Sequence, residues 1–536
     1  MLEEVKDPSP INTISTIGFA QLAITFPFQE VSKSLQRFNR LSYRMRMSLN
    51  EFIFYVPIMM ALENVSAEKA YESIQKGSSM IWGSRALGDI GRGGLANARL
   101  RVGVEPFEDM FLRFCHPLAT DRHPTTHLEG MRMVAIDGCL LNVADTAKNA
   151  VFGRPKNQNQ KAAGYPQARI VALVETGTHA FFGLKIDTSH VGETTMAKGL
   201  LETLQPDMLV MADRLYLGWD LVNVVTRKKA NLIWRAKAGC IDRFKILARC
   251  SDGSYKASYI PPEAHAGDEA IDVRIVAYQL KAESAPSEEP VYLVTTLLDP
   301  EIFPAQKLIT AYMQRWEIEM AFGEMKCEIA DNEPLWAQRP ELVKQQIFSI
   351  VLAHYAVRKA IYQAARTANL DPDIISFKGA LETIKTNCKM FSFSDSFRQQ
   401  LDDELCSTLK DQIDTTTRQL EKELNASGLL ELRGRSFIQE IVSAVGDKLL
   451  VLSTTARKTV NDFFSKQAQR ILDTINHELA FKPSNRVSSS RGKSSPRNTK
   501  QRTNRKYGVR KQKNPPKVKY GFNPRILLLE KVPGLP

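Results

Sequence analysis

Two aspartates follow buried-looking apolar runs of the sequence. Asp137 comes directly after Met-Val-Ala-Ile, and Asp213 comes directly after Met-Leu-Val-Met-Ala. A carboxylate at the end of a buried strand is held rigidly and still reaches solvent, which suits a metal ligand. Each aspartate alone is weak evidence, since aspartate also favours the turns that end strands. They become candidate ligands only together with a third carboxylate.

A third carboxylate lies on a predicted helix over residues 309–329. At about 100° per residue, four polar side chains fall within a sector of about 60°. These residues are Tyr312, Arg315, Glu319 and Lys326. The plainer interpretation is a solvated face, because Arg315 and Glu319 have ion-pair spacing. The aromatic Trp316 and the apolar Ile318 in the same stretch argue against a fully solvated face.

Asp137, Asp213 and Glu319 suit two Mg²⁺ ions, or Mn²⁺ in their place, since hard cations take oxygen ligands. Such a site performs phosphoryl transfer by activating a water or a 3′-hydroxyl and stabilising the leaving oxygen. Arg315 and Lys326 would clamp phosphates of the strand being cut. Tyr312 fits the same substrate, because its phenol can form a hydrogen bond with a phosphate or stack on a base. The constellation therefore predicts a nucleic-acid phosphoryl transferase.

The elements around these residues predict an α/β fold. Residues 131–213 alternate as strand, hairpin, helix and strand, which is typical of a mixed sheet. Short β-like runs then fill residues 231–298, with helical patterns before and after. The predicted units are a leader (1–30), a helical N-terminal DNA-binding domain (31–125), a core in two parts (126–230 and 299–370) separated by a β-rich insertion (231–298), a helical C-terminal region suited to dimerisation (371–480) and a basic, disordered tail (481–536).

Charge and composition narrow the class of protein. The net charge is +13, yet residues 481–525 hold fifteen Lys and Arg and no acid, so the rest of the chain carries −2. A basic tail of this kind binds nucleic acid non-specifically, or only solubilises the chain. The seven cysteines form no Cys-x-x-Cys pair. They predict reduced thiols rather than a zinc site or disulfides. We expect no membrane span or signal peptide.

The helix motif resembles that of the DDE transposases of bacterial insertion sequences, the IS-four family. The family pattern is Tyr, two residues, Arg, three residues, Glu, six residues, Lys, which here runs from Tyr312 to Lys326. The family's two aspartate motifs are matched by Ile136-Asp137-Gly138 and by Ala212-Asp213-Arg214. The resemblance covers about residues 30–370. The sequence departs from it at Cys139, where relatives commonly have Thr. After Asp213-Arg214 relatives commonly have Gly and an aromatic, and this chain has Leu215 and Tyr216.

The resemblance implies an RNase H-like core interrupted by the β-rich insertion. It implies Mg²⁺-dependent cut-and-paste transposition at the terminal inverted repeats, through a DNA hairpin, into target DNA. It also implies a homodimer in a synaptic complex, working at the nucleoid in the bacterial cytoplasm. Asp137, Asp213 and Glu319 would be catalytic and hold the metals. The DNA contacts would be Tyr312, Arg315, Lys326, Arg214 and Trp316, with Tyr292 or Trp234 of the insertion holding a flipped base.

Two other functions remain open at the level of the sequence. The chain could be an inactive, transposase-derived DNA-binding inhibitor or repressor, although all three carboxylates are present. It could also be an RNase H-like nuclease that cuts DNA without strand transfer. Metal-dependent cleavage separates the first alternative from a transposase, and a requirement for paired DNA ends separates the second.

Overall fold

The computed structural model describes most of the chain between residues 22 and 390, and one segment near its end. The described residues are 22, 25–40, 49–82, 90–120, 125–156, 162–265, 267–281, 290–390 and 525–528. The predictions for residues 391–480, including the dimerisation helices, and those for almost all of the basic tail lie outside these residues. Among the described residues, no helix combines the length and apolar character that crossing a membrane requires.

The chain divides into two compact units. The first comprises residues 1–102 and 379–482, and the second comprises residues 103–378 and 483–536. The described helices of the first unit are α1 (Phe28–Arg37), α2 (Leu49–Glu63), α3 (Ala67–Trp82) and α4 (Arg92–Val102). Helix α2 is buried from Phe52 to Met60, and Tyr55 donates a hydrogen bond to the carbonyl of Phe26 (2.6 Å). The core of this unit is therefore built around α2.

The second unit contains an eleven-stranded mixed sheet and the helices that cover it. Its strands are β1 (His127–Leu128), β2 (Met131–Asn142), β3 (Gln167–Glu175), β4 (Ala180–Thr188), β5 (Met208–Ala212), β6 (Asn231–Ala236), β7 (Phe244–Arg249), β8 (Tyr255–Tyr259), β9 (Ile271–Lys281), β10 (Val291–Thr295) and β11 (Arg525–Leu528). Its helices are α5 (Glu105–Phe114), α6 (Glu193–Leu201), α7 (Trp219–Arg227), α8 (Ala305–Met313), α9 (Glu317–Gly323) and α10 (Pro340–Thr367). Helix α11 (Phe377–Met390) begins at the end of this unit.

The strand order is β4-β3-β2-β5-β6-β10-β9-β8-β7, with β1 on β2 and β11 on β9. Strands β2, β3 and β4 are antiparallel, and β2, β5 and β6 are parallel. Strand β5 is buried along its whole length, as is usual for a central parallel strand covered on both faces. The predicted α/β class with a mixed sheet is confirmed.

Residues 231–298 are rich in strands, as the sequence predicts. Strand β6 pairs in parallel with β5, and β10 then pairs with β6, so this segment continues the sheet instead of forming a separate one. Helix α5 was predicted to belong to the N-terminal domain. It lies in the second unit, where Phe111 packs on Phe348 of α10 with ring centroids 6.0 Å apart.

Two apolar cores cover the two faces of the sheet. The larger core joins α6 and α7 to the face that carries Val134 and Ile136 of β2. The smaller core joins α8 to the opposite face, through Met133 of β2 and Met211 of β5. Because side chains alternate along a strand, Asp137 shares the face of Met133 and α8.

Trp234 and Tyr292 were predicted to contact DNA, and the structure corrects both assignments. Trp234 is fully buried in the larger core, and its indole donates a hydrogen bond to the carbonyl of Val210 (3.1 Å). Tyr292 lies in the same core and is only 4% exposed. Neither ring has a surface on which a base could stack. Both aromatics stabilise the sheet.

We expect Trp234→Phe to destabilise the second unit by about 1–3 kcal/mol, because it removes a buried hydrogen bond and part of a fully buried ring. Urea denaturation measures the loss. Binding of DNA should be unchanged in the folded variant. A variant that keeps its stability but loses affinity for DNA would restore the base-contact assignment.

Candidate active site

The two aspartates lie side by side at one edge of the sheet. Strands β2 and β5 are parallel neighbours, in a register that pairs Ala135 with Met211. Asp137 and Asp213 each come two residues later, so the same register brings them to adjacent positions on one face. Residue 213 follows the last residue of β5, and its carboxylate accepts a hydrogen bond from the backbone N–H of Leu215 (2.7 Å). This turn fixes the carboxylate as β5 ends.

The third carboxylate arrives on a helical stretch that is less regular than the sequence predicts. Helix α8 is followed by a 3₁₀ turn over Gln314–Trp316, then by α9, and then by a π-helical segment over Glu324–Ile329. Glu319 lies in the first turn of α9. Such irregular helical segments occur frequently at functional sites. The four polar residues therefore share a region of the surface without lying on one ideal helix.

Arg315 joins this helical stretch to the sheet. One guanidinium nitrogen lies 3.0 Å from Oε1 of Glu319, and the other lies 3.6 Å from Oδ2 of Asp137. The arginine side chain is only 13% exposed. A single cation therefore lies between a carboxylate of the strand and a carboxylate of the helix, and it holds them facing each other.

The site carries more negative charge than Arg315 neutralises. Burial raises the pKa of Asp137 to about 6, and the charges of Asp213 and Glu319 add to the rise, although Arg315 opposes it. A carboxylate whose ionised form is disfavoured by burial and by like charges gains from a bound cation. The ligands are all oxygen atoms, which fits a hard divalent ion. Asp137, Asp213 and Glu319 thus fit a metal site.

Two other residues of the motif contact the ends of the strands. The Tyr312 hydroxyl donates a hydrogen bond to the carbonyl of Ala212 (3.3 Å), and burial raises its pKa to about 12. The Lys326 ammonium lies against the thiol of Cys139, whose pKa burial raises to about 11 even though Lys326 lowers it. The structure therefore brings Tyr312, Arg315, Glu319 and Lys326 together around Asp137 and Asp213.

The remaining predicted DNA contacts lie at the edge of this group. Arg214 is exposed immediately after Asp213. Trp316 is half-buried, and the Arg315 guanidinium lies 5.8 Å from the centre of its ring. Both side chains have accessible surface next to the carboxylates, unlike Trp234.

A buried polar cluster, which the sequence did not reveal, holds the motif helix in place. His179, in the turn between β3 and β4, contacts Oε2 of Glu317 (2.5 Å) and Oε1 of Glu324 (3.0 Å). Glu324 also accepts from Nε of Arg358 on α10 (2.9 Å) and contacts His354 (2.9 Å). Glu317 is two residues before Glu319, so the two carboxylates point to different sides of the helix. The cluster anchors the side of the helix that faces away from Glu319.

Ion pairing rather than a metal explains this cluster. His179, Glu317 and Asp373 do offer ligand atoms within 4.8 Å of one another. However, His179 Nε2 lies only 2.5 Å from Glu317 Oε2, whereas an ion bound to both would hold them more than about 3 Å apart. Burial raises the pKa of Glu324, yet Arg358 and His179 outweigh it and keep that pKa well below its ordinary value. The carboxylate is therefore ionised and paired.

Long-range contacts explain why the cluster escaped sequence analysis. His179 and Glu317 are 138 residues apart, and His354 and Glu324 are 30 apart. No spacing rule links such residues before the fold is known. His354 is fully buried on α10. The only sequence signal was a group of ionisable residues in otherwise apolar helices.

We expect Arg358→Met to destabilise the second unit by about 3–5 kcal/mol, because it leaves the buried Glu324 without its arginine partner. Arg366→Met, at an exposed position on the same helix, should cost less than about 1 kcal/mol. Urea denaturation compares the two variants. Equal stability would contradict the anchoring role.

The cluster also predicts a pH dependence. Burial and Arg358 lower the pKa of His179, but Glu324 and Glu317 outweigh them and raise it to about 9. In the unfolded chain a histidine titrates near 6.5. The stabilisation from His179 is therefore complete below about pH 6.5 and is lost as the pH rises through about 9. The free energy of unfolding should fall less steeply over this range in His179→Gln than in the unaltered chain. Parallel curves would exclude a charged His179.

Comparison with known proteins finds transposases that resemble this chain. A family model described as "Transposase DDE domain" matches residues 129–355, which span β2 to α10. The transposase InsG for insertion sequence element IS4, from Escherichia coli strain K12, is 24% identical over 351 residues, covering 65% of this chain and 78% of that protein. A cryo-EM structure of the piggyBac transposase synaptic complex with hairpin DNA matches with a TM-score of 0.38 and 14% identity, over 72% of this chain and 81% of that one.

The matched domain contains both aspartates and the whole motif from Tyr312 to Lys326. The family acts on DNA with divalent metal ions, in keeping with the oxygen ligands of the site. The match of residues 129–355 to the transposase DDE domain and the similarity to the IS4 transposase together support an IS4-family DDE transposase, an enzyme that transfers phosphoryl groups of DNA.

Proposed function

We propose that Asp137, Asp213 and Glu319 hold two Mg²⁺ ions, or Mn²⁺ in their place, and that this site cuts DNA at the inverted-repeat ends of an insertion sequence and joins it to target DNA. The observation that carries the proposal is the position of Arg315 between Asp137 and Glu319, with Asp213 on the adjoining strand. The chemistry supplied by bound ions is activation of the attacking oxygen and stabilisation of the leaving oxygen.

The chain's own residues would orient the DNA around that chemistry. Arg315, already between two carboxylates, would turn toward a backbone phosphate as the ions take over its charge-neutralising role. Lys326 and the exposed Arg214 would bind the flanking phosphates. Tyr312 would keep the end of β5 in place through Ala212 and offer its hydroxyl at the edge of the site. The half-buried ring of Trp316, next to Arg315, would stack on a base.

The strand order supports the finer fold proposal. An antiparallel β4-β3-β2 group followed by parallel β5 and β6 fits an RNase H-like core, with β7 to β9 forming most of the insertion. Residues 31–125 are proposed to bind DNA, and residues 371–480 to join two copies in a synaptic complex. The fifteen cations of residues 481–525 would bind DNA without sequence preference at the bacterial nucleoid.

The test is cleavage of a labelled duplex that carries the element's end, with and without Mg²⁺. We expect Mg²⁺-dependent nicking and joining by the unaltered chain. Glu319→Gln should lower the rate by at least about a hundredfold, since it removes a metal ligand. Glu328→Gln, in the π-helical segment that follows, is the matched control and should cleave normally.

Other outcomes would identify the alternative functions. Binding of the DNA end without cleavage, equal in both variants and the unaltered chain, would leave a DNA-binding inhibitor. Cleavage that needs no second DNA end and yields no joined product would leave a nuclease. A hairpin product would support the full cut-and-paste route.

A further inference from the structure

A fourth carboxylate, absent from the family motif, lies next to the two aspartates. Glu193 is the first residue of α6, and its side chain lies against Gly138, the residue after Asp137. A Cβ atom at position 138 would lie 2.7 Å from the carboxyl carbon of Glu193. Only glycine leaves room for the carboxyl group at this place. The absence of a side chain at 138 thus admits a carboxylate to the edge of the site.

The Glu193 carboxylate is paired with an arginine and interacts electrostatically with Asp213. Arg169 of β3 donates a hydrogen bond to it, and the Glu193 side chain is 19% exposed. Burial raises the pKa of Glu193, and the charge of Asp213 raises it further, against the opposing effect of Arg169. Glu193 is therefore close enough to Asp213 for the two charges to repel each other. It approaches from the α6 face, opposite the face of Glu319.

An unsatisfied hydroxyl group provides a second, independent observation. Tyr216 is fully buried, and no described residue forms a hydrogen bond with its hydroxyl. Burial raises the pKa of this phenol, and the charges of Asp137, Glu193 and Asp213 raise it further. The hydroxyl thus lies among three carboxylates. A buried donor left unpaired costs about 1–3 kcal/mol, which a coordinated water or carboxylate at this position would recover.

We propose that Glu193 is a fourth carboxylate of the metal site, binding the ion beside Asp213 from the α6 side, and that the Tyr216 hydroxyl donates to that ion's ligands. The inference rests on the proposed function, since it assumes that Asp137 and Asp213 bind divalent ions. Glu193 would bring one more oxygen ligand to the ion beside Asp213. Arg169 orients Glu193 while no ion is bound.

The test measures metal binding directly, by Mn²⁺ titration followed by electron paramagnetic resonance on the full chain without DNA. We expect Glu193→Gln to weaken at least one Mn²⁺ site about tenfold or more. Glu202→Gln is the matched control, because Glu202 follows the same helix and pairs with the exposed Arg227. Its Mn²⁺ binding should equal that of the unaltered chain.

Gly138→Ala is the second variant and keeps every charge. Its added methyl group must displace the Glu193 carboxyl, so the same Mn²⁺ site should weaken. If Glu193→Gln does not fold, as judged by circular dichroism and thermal unfolding, Gly138→Ala tests whether Glu193 binds the ion. Tyr216→Phe should weaken the same site to a smaller extent, because it removes only the donor.

Asp213→Asn separates this inference from the proposed function. Loss of Mn²⁺ binding in Asp213→Asn, with unaltered binding in both folded Glu193→Gln and Gly138→Ala, would overturn the role of Glu193 and leave the three-carboxylate site standing. Glu193 would then serve only as the partner of Arg169. Unaltered binding in Asp213→Asn as well would overturn the proposed metal site itself.

Discussion

The structure depends on holding several carboxylates close together against their mutual repulsion. Asp137 and Asp213 are fixed by a parallel strand pair, so the sheet determines their separation. Glu319 reaches them from a helix, and a helix can shift. Arg315 opposes that shift at the site, and the cluster around His179 and Glu324 opposes it on the other side. The acidic site is thus braced by cations on both sides of one helix.

The two cations that hold the helix, Arg315 and Arg358, differ in burial for a physical reason. In the proposed site, Arg315 would exchange a carboxylate partner for a phosphate of DNA, and the 13% of its side chain that is exposed gives it access to that phosphate. On the other side of the helix, Arg358 is only 3% exposed, and it shares Glu324 with His179 and His354. Electrostatic interactions are stronger where water is excluded. Arg358, the permanent anchor, is therefore the more deeply buried of the two arginines, and Arg315, the adjustable one, keeps contact with solvent.

The sequence predicted those features of the site that local patterns encode. Asp137 and Asp213 follow apolar runs long enough to be strands, and the motif from Tyr312 to Lys326 lies on one helical stretch. It could not predict the His179 cluster or the approach of Glu193 to Gly138, since these contacts join distant segments. It also misassigned Trp234 and Tyr292. An aromatic residue in a short strand gives the same sequence pattern whether its ring packs in a core or contacts a ligand. Only the packing of α6 and α7 on that face distinguishes the two cases.

Because of the π-helical segment after α9, the spacing of the motif residues in the sequence does not give the directions of their side chains. A 3₁₀ turn advances about 120° per residue, an α-helix about 100°, and the wider π turn less. Between Tyr312 and Lys326 the chain passes through all three. The direction of the lysine is therefore the sum of unequal rotations. Adding or deleting a single residue there would swing the ammonium away from Cys139, even with every motif residue retained.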